Sequence, residues 1–203
     1  MGSIAGRRQP VLALLLLICL PGCVALGAAA AVPGTLVDVV TDQFRGEEVS
    51  FASNMRRTIA ATQAVLQTMQ LDIDVLESQQ NGGYIIGFSN DRLDGTINLR
   101  KQTERLTTMN VKVRSNTREK SVERAIVDLL RQELKTLPET VQFDKSQYQS
   151  LMEKPSTASA RVGWFRAGAR LQVVAQQSGK QDWLKVELPS GKMAYLKGTV
   201  VNK

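Results

Sequence analysis

The sequence predicts a two-layer α+β domain, an antiparallel sheet with two helices on one face, followed by a smaller all-β domain. Three observations lead there. Residues 55–70 and 119–137 place apolar side chains at helical spacing. Several short stretches between and around them alternate apolar with polar residues, the period of a strand with one buried face. After Pro138 the helical pattern stops and only short alternating stretches remain, which marks the change to a second unit.

The N-terminal stretch comes first. Arg7 and Arg8 supply positive charge, residues 11–20 are apolar, and Leu20-Pro21-Gly22-Cys23 follows. The apolar run is about half of the ~20 residues that a bilayer-crossing helix needs. A positive segment, a short apolar segment and a small residue before the cut describe a removable secretory signal. With cysteine after Gly22, the order Leu-x-Gly-Cys resembles the lipobox of bacterial lipoproteins. That resemblance implies a signal peptide over residues 1–22, acylation of the Cys23 thiol, and Cys23 as the lipidated amino terminus. Two or three acyl chains anchor firmly where one binds marginally. The alternatives are an ordinary signal cut within residues 28–31, which discards Cys23, and an uncleaved anchor, for which the run is short. Residues 23–35 are mostly small and uncharged and read as a flexible tether. Val24 stands where an Asp, in enterobacterial lipoproteins, favours retention at the inner membrane. The expected location is therefore the outer membrane, facing the periplasm of a Gram-negative bacterium.

Composition narrows the chemistry. The 203 residues suffice for one medium domain or two small ones. The formal charge of +7 falls when Arg7 and Arg8 leave with the signal. The remaining excess is mild and suits anionic surfaces such as headgroups or wall polymers, not nucleic acid. There is no histidine, which removes His-based triads, His metal ligands and the commonest general base. Cys19 lies in the signal and Cys23 is the lipidation residue, so the lipidated chain has neither free thiol nor disulfide.

The α+β domain is expected over residues 36–137. Val49 and Phe51 alternate with polar neighbours as a short strand does. Ser53 or Asn54 can cap the helix that follows, in which Met55, Ile59, Leu66 and Met69 share one face. Ile73 and Val75 point one way and Asp72 and Asp74 the other. Gly82-Gly83 marks a turn before residues 84–89, and Asp94-Gly95 reads as a hairpin turn before Ile97 and Leu99. Met109, Val111 and Val113 alternate with Asn110, Lys112 and Arg114. The second helix carries Val122, Ala125, Ile126, Leu129, Leu130, Leu134 and Leu137 as a stripe, and Pro138 ends it. Two helices over one face of such a meander make a two-layer domain. The lipobox, the first helix leading into Leu71-Asp72-Ile73, the Asp94-Gly95 pair and the helix over 123–134 together resemble a family of small bacterial lipoproteins described only as a domain of unknown function. That family implies location and fold rather than a reaction.

Residues 138–147 read as a linker. Residues 148–203 carry Gly168, Leu171-Gln172-Val173-Val174, Trp183-Leu184-Lys185-Val186, Ser190-Gly191 and Ala194-Tyr195-Leu196. The spacing of Gly168, Val173, Trp183, Val186 and Gly191 resembles a bacterial SH3 domain, with Ala194-Tyr195 where Gly-Trp is usual. The resemblance implies a small SH3-like barrel, with Leu171, Val173, Leu184, Val186 and Leu196 inside, and binding of cell-wall peptides or protein segments.

Candidate site residues are few. Trp164, Trp183 and Tyr195 are the aromatics that can present flat apolar area to a ligand; Trp183 and Tyr195 can equally complete a small core. Arg100, Lys112 and Arg114 on the wet sheet face can receive a partner, although cross-strand charge pairs explain them as well. Asp72 and Asp74 are spaced for an acid/base pair or a cation, and the same charge pairing accounts for them. Neither Gly-x-Ser-x-Gly nor a Ser-x-x-Lys at a helix start with its supporting motifs occurs. No catalytic residue, metal or cofactor is therefore expected. The expected function is a membrane-anchored binding or scaffold module contacting peptidoglycan or an envelope protein. An assembly factor acting through the α+β domain is the alternative, and a hydrolase is remote.

Overall fold

The computed structural model describes residues 47–170, 173–177 and 182–198, all within the unit Val39–Lys203. In chain order these are β1 (Glu47–Phe51), α1 (Met55–Thr68), β2 (Asp72–Ser78), β3 (Tyr84–Ser89), β4 (Asp94–Thr103), β5 (Leu106–Arg114), α2 (Lys120–Thr136), β6 (Tyr148–Met152), β7 (Arg161–Arg166), β8 (Val173–Gln177), β9 (Trp183–Glu187) and β10 (Met193–Lys197). The described strands make one antiparallel sheet in the order β1-β5-β4-β3-β2-β7-β6-β10-β9-β8.

The helices form where the pattern requires. Asn54 caps α1, its side chain accepting from the Arg57 amide at 2.9 Å. Met55, Ile59, Val65 and Leu66 are buried on the sheet side. Thr62 sits among them because its hydroxyl donates to the Thr58 carbonyl at 2.8 Å, which satisfies a polar group that apolar burial would otherwise penalise. In α2 the buried stripe is Ile126, Val127 and Leu130, with Leu129, Leu134 and Leu137 half-buried beside it. Glu123 is also buried there. Burial pushes its carboxyl pKa up, but hydrogen bonds from the Arg118 guanidinium at 2.6 and 2.9 Å and from the Val113 amide at 3.1 Å outweigh this and hold it below the usual carboxylate range.

Two cores lie on opposite faces of the sheet. The first is sealed by the helices and contains Phe51, Leu66, Leu71, Ile73, Leu76, Ile86, Phe88, Ile97, Leu99, Met109, Val111, Val113 and Ile126. The second contains Val75, Leu151, Phe165, Leu184, Val186, Leu188, Ala194 and Leu196. A bulge makes one strand serve both. The β2–β3 register runs Ile73↔Phe88 and then Val75↔Gly87, so Asp74 is the extra residue. An inserted residue flips the alternation. Ile73 and Leu76 therefore face the first core and Val75 the second. This corrects the expectation that Ile73 and Val75 share a face.

The larger correction concerns the fold class. The sequence predicts a separate α+β domain followed by an SH3-like barrel; the described residues instead form one continuous ten-stranded sheet with two helices. The join is β2 against β7, with Val75↔Phe165, Leu76↔Trp164 and Glu77↔Gly163. Without β7, β2 would be the edge of the meander, with a row of unpaired backbone groups. Gly163 permits the approach: a Cβ there would lie 2.4 Å from the Leu76 carbonyl oxygen. A second tie crosses near the same place. The Glu77 carboxylate, 1% exposed, accepts from the Ser190 amide at 3.1 Å and the Ser190 hydroxyl at 2.5 Å in the β9–β10 turn.

Smaller differences have local causes. Asp94-Gly95 is not the β3–β4 turn; both residues open β4, and the turn is made by Asn90, whose side chain accepts from the Arg92 and Leu93 amides at 2.8 Å each. Gly95 is needed for another reason, since a Cβ there would lie 2.3 Å from the Phe88 ring. Val173, expected inside, is 37% exposed. Cys23, the tether, Leu171 and Gln172 lie outside the described residues.

Candidate ligand groove

A groove of about 620 Å³ opens among the start of α1, strands β2, β3, β4 and β7, and residues 142–145. Its volume falls within the range of ligand pockets, ~300–1,000 Å³. Met55 and Ile59 of α1, Leu76 of β2, Tyr84 of β3, Trp164 of β7 and Phe143 supply apolar and aromatic surface, and Arg56, Lys101 and Lys145 bring positive charge to it.

The wall formed by Phe143 and Lys145 falls in the stretch expected to be a linker, and it is held at several points. Arg57, its side chain 13% exposed, donates to the Leu137 carbonyl at 2.7 Å and the Leu134 carbonyl at 2.6 Å. A cation at the last carbonyls of α2 satisfies groups that the helix leaves orphaned. The Gln63 amide then clamps Asp144 in both directions: its oxygen accepts from the Asp144 amide at 2.8 Å and its nitrogen donates to the Asp144 carbonyl at 3.1 Å. Phe143 is buried in the first core and its ring lies 4.9 Å from that of Tyr148. The Tyr148 hydroxyl donates to the Ile73 carbonyl at 3.1 Å, and burial pushes its pKa up to about 12.

Trp164 is half-buried on the first-core side of β7. Two cations overlie its ring, Arg161 at 4.7 Å and Lys145 at 4.8 Å from the centroid. Such contacts contribute roughly 0.5–1 kcal/mol each at exposed sites; here they also hold both charges beside the groove.

The other residues singled out from the sequence lie elsewhere. Trp183 is 5% exposed in β9, and Tyr195 is half-buried in β10. Neither lines the groove. Arg100, Lys112 and Arg114 stand on the sheet face away from the helices. Arg100 pairs with Glu48 at 2.8 Å and Arg114 with Asp94 at 3.2 Å. Asp72 and Asp74 share one partner, Arg166, at 3.3 and 2.8 Å, and Asp74 also accepts from Ser89 at 2.5 Å. Their charge is thereby spent on joining β2 to β7. Among the described residues no cluster of three or more acidic, His or Cys side chains is placed to hold a metal ion.

Tyr84, Phe143, Lys145 and Arg56 were not singled out from the sequence. The one local signal is Phe143, a lone aromatic in an otherwise polar stretch, which needs an apolar place to go. Comparison with known proteins gives no matching family model and no matching curated protein.

Proposed function

We propose that this protein is a non-catalytic binding module of the bacterial cell envelope, anchored by acyl chains on Cys23 and seating an envelope component in the groove around Trp164. The observation that carries this reading is the groove itself, where aromatic and aliphatic surface meets positive charge on a rigid sheet. Among the described residues that line the groove, the one carboxylate, Glu104, is engaged by Lys101 at 2.5 Å. A lipid anchor suits such a module because tethering raises the effective concentration of a ligand confined to the same layer. Among the described residues no helix is long and apolar enough to cross a membrane, and in this reading the acyl chains provide the attachment.

Two measurements test it. Mass spectrometry of the protein from its host should find an acylated amino terminus at Cys23, and Cys23→Ala should release the protein from membranes. A photo-crosslinking residue at Lys145 should trap an envelope component in cells, while one at Lys197 should not. An unmodified terminus downstream of residue 23 would refute the anchor; equal trapping from both positions would refute the groove.

A further inference from the structure

We infer that the groove takes an extended acidic peptide segment of a partner protein, an apolar side chain seated on its floor and carboxylates set against Arg56, Lys145 and Arg161. This deepens, and rests on, the reading of the groove as the ligand site. The charges are the first ground. Among the described residues that line it, the groove carries Arg56, Lys101 and Lys145 against one carboxylate, Glu104, which Lys101 engages. Arg56, Lys145 and Arg161 are exposed, and among the described residues none of the three meets a carboxylate. Two of them are held over the Trp164 ring, so part of the entropy that long side chains lose on pairing is already lost before a ligand arrives.

The floor is the second ground. Met55, Ile59, Leu76, Tyr84 and Phe143 offer an apolar side chain a place out of water, beside the exposed Gln142 amide, which can bond a peptide backbone. A wall glycan has little apolar surface to place there, and the Trp164 ring on which a sugar would stack is overlaid by Arg161 and Lys145. A bilayer presents anionic charge on a broad surface, whereas Arg56 and Lys145 line a concavity and Arg161 lies over the Trp164 ring at its side. A peptide that alternates acidic and large apolar residues meets both requirements, because in an extended chain successive side chains point opposite ways.

The test uses the full chain and three fluorescein-labelled peptides: a Glu-Leu-Glu-Phe repeat, a Lys-Leu-Lys-Phe repeat and a Glu-Ser-Glu-Ser repeat. Sedimented peptidoglycan and phosphatidylglycerol vesicles serve as further probes. The Glu-Leu-Glu-Phe peptide should bind best, and the exposed substitutions Arg56→Glu and Lys145→Glu together should weaken it about tenfold or more, with a fall in melting temperature of no more than about 4 °C from the lost Lys145–Trp164 contact. Lys154→Glu, outside the groove, should leave binding unchanged. If the acidic peptide binds no better than the other two, or binds equally well to the double variant, the inference is wrong. Peptidoglycan or vesicle binding that the double variant loses, with no peptide binding, overturns the ligand class and leaves the groove as the site. If no probe distinguishes the double variant from the native chain, both readings fall.

Discussion

Gly163→Ala tests the join that makes one sheet of two expected domains. A Cβ at residue 163 would stand 2.4 Å from the Leu76 carbonyl oxygen, 3.1 Å from the Glu77 Cα and 3.3 Å from the Leu76 carbonyl carbon. Unstrained carbon contacts lie at ~3.5–4.0 Å, so β2 and β7 must separate by about 1 Å at that point. All three contacts are backbone, which has no rotamer to yield. Overpacking of this kind costs ~1–3 kcal/mol; with backbone on both sides and a ladder of only three register pairs, the upper end applies. For a chain of this length each kcal/mol shifts the melting temperature by roughly 2–4 °C, so a fall of about 6–12 °C is expected in a calorimetric or circular-dichroism melt. The whole transition should move, because Val75 and Trp164 carry opposite cores across the join. Gly168→Ala is the control. It has φ +83° and no neighbour within 4 Å of the added Cβ, so it carries only left-handed strain of ~1–2 kcal/mol. A Gly163→Ala melt within about 2 °C of native would refute the reasoning, as would two separated transitions of which only one shifts.

Other expectations follow from buried polar groups. Glu77→Ala leaves the Ser190 amide and hydroxyl without their acceptor, and each hydrogen bond to a charged group contributes ~1.5–3 kcal/mol; urea unfolding should register a loss of about 3 kcal/mol or more, with Glu77→Gln recovering part of it, and a Glu77→Gln variant as stable as the native chain would show that the charge is immaterial. Tyr148 has a folded-state pKa raised to about 12 from the ordinary 10.0. Its neutral form is the one the fold favours, so that contribution is complete below pH 10 and declines as pH rises toward 12. Ultraviolet titration should show a phenolate appearing late, and Tyr148→Phe should flatten the alkaline loss of stability; a normal titration midpoint would contradict the burial described.

Much of the first half of the molecule was legible because its signals are local. The period of 55–70 gave α1 and that of 119–137 gave α2, since a helix buries whatever its own spacing puts on one side. Met109, Val111 and Val113 all lie in the first core, as their alternation requires. Of the residues lining the groove, Trp164 alone is a candidate on sequence grounds. Its companions come from five separate stretches of the chain, and no period links Arg56, Tyr84, Phe143 and Lys145.

By itself, then, the sequence determined the two helices, most of the strands, the lack of histidine chemistry and the candidate anchor at Cys23. Only the tertiary structure decided that β7 completes the edge of β2, that the Asp74 bulge turns Val75 toward a second core, and that Phe143 doubles back from an apparent linker to wall a groove. The division has one physical cause. Helices and strands are selected by contacts a few residues away, whereas an open sheet edge accepts any strand that can approach it, and Gly163, eighty-six positions after Glu77, is the residue small enough to let that happen.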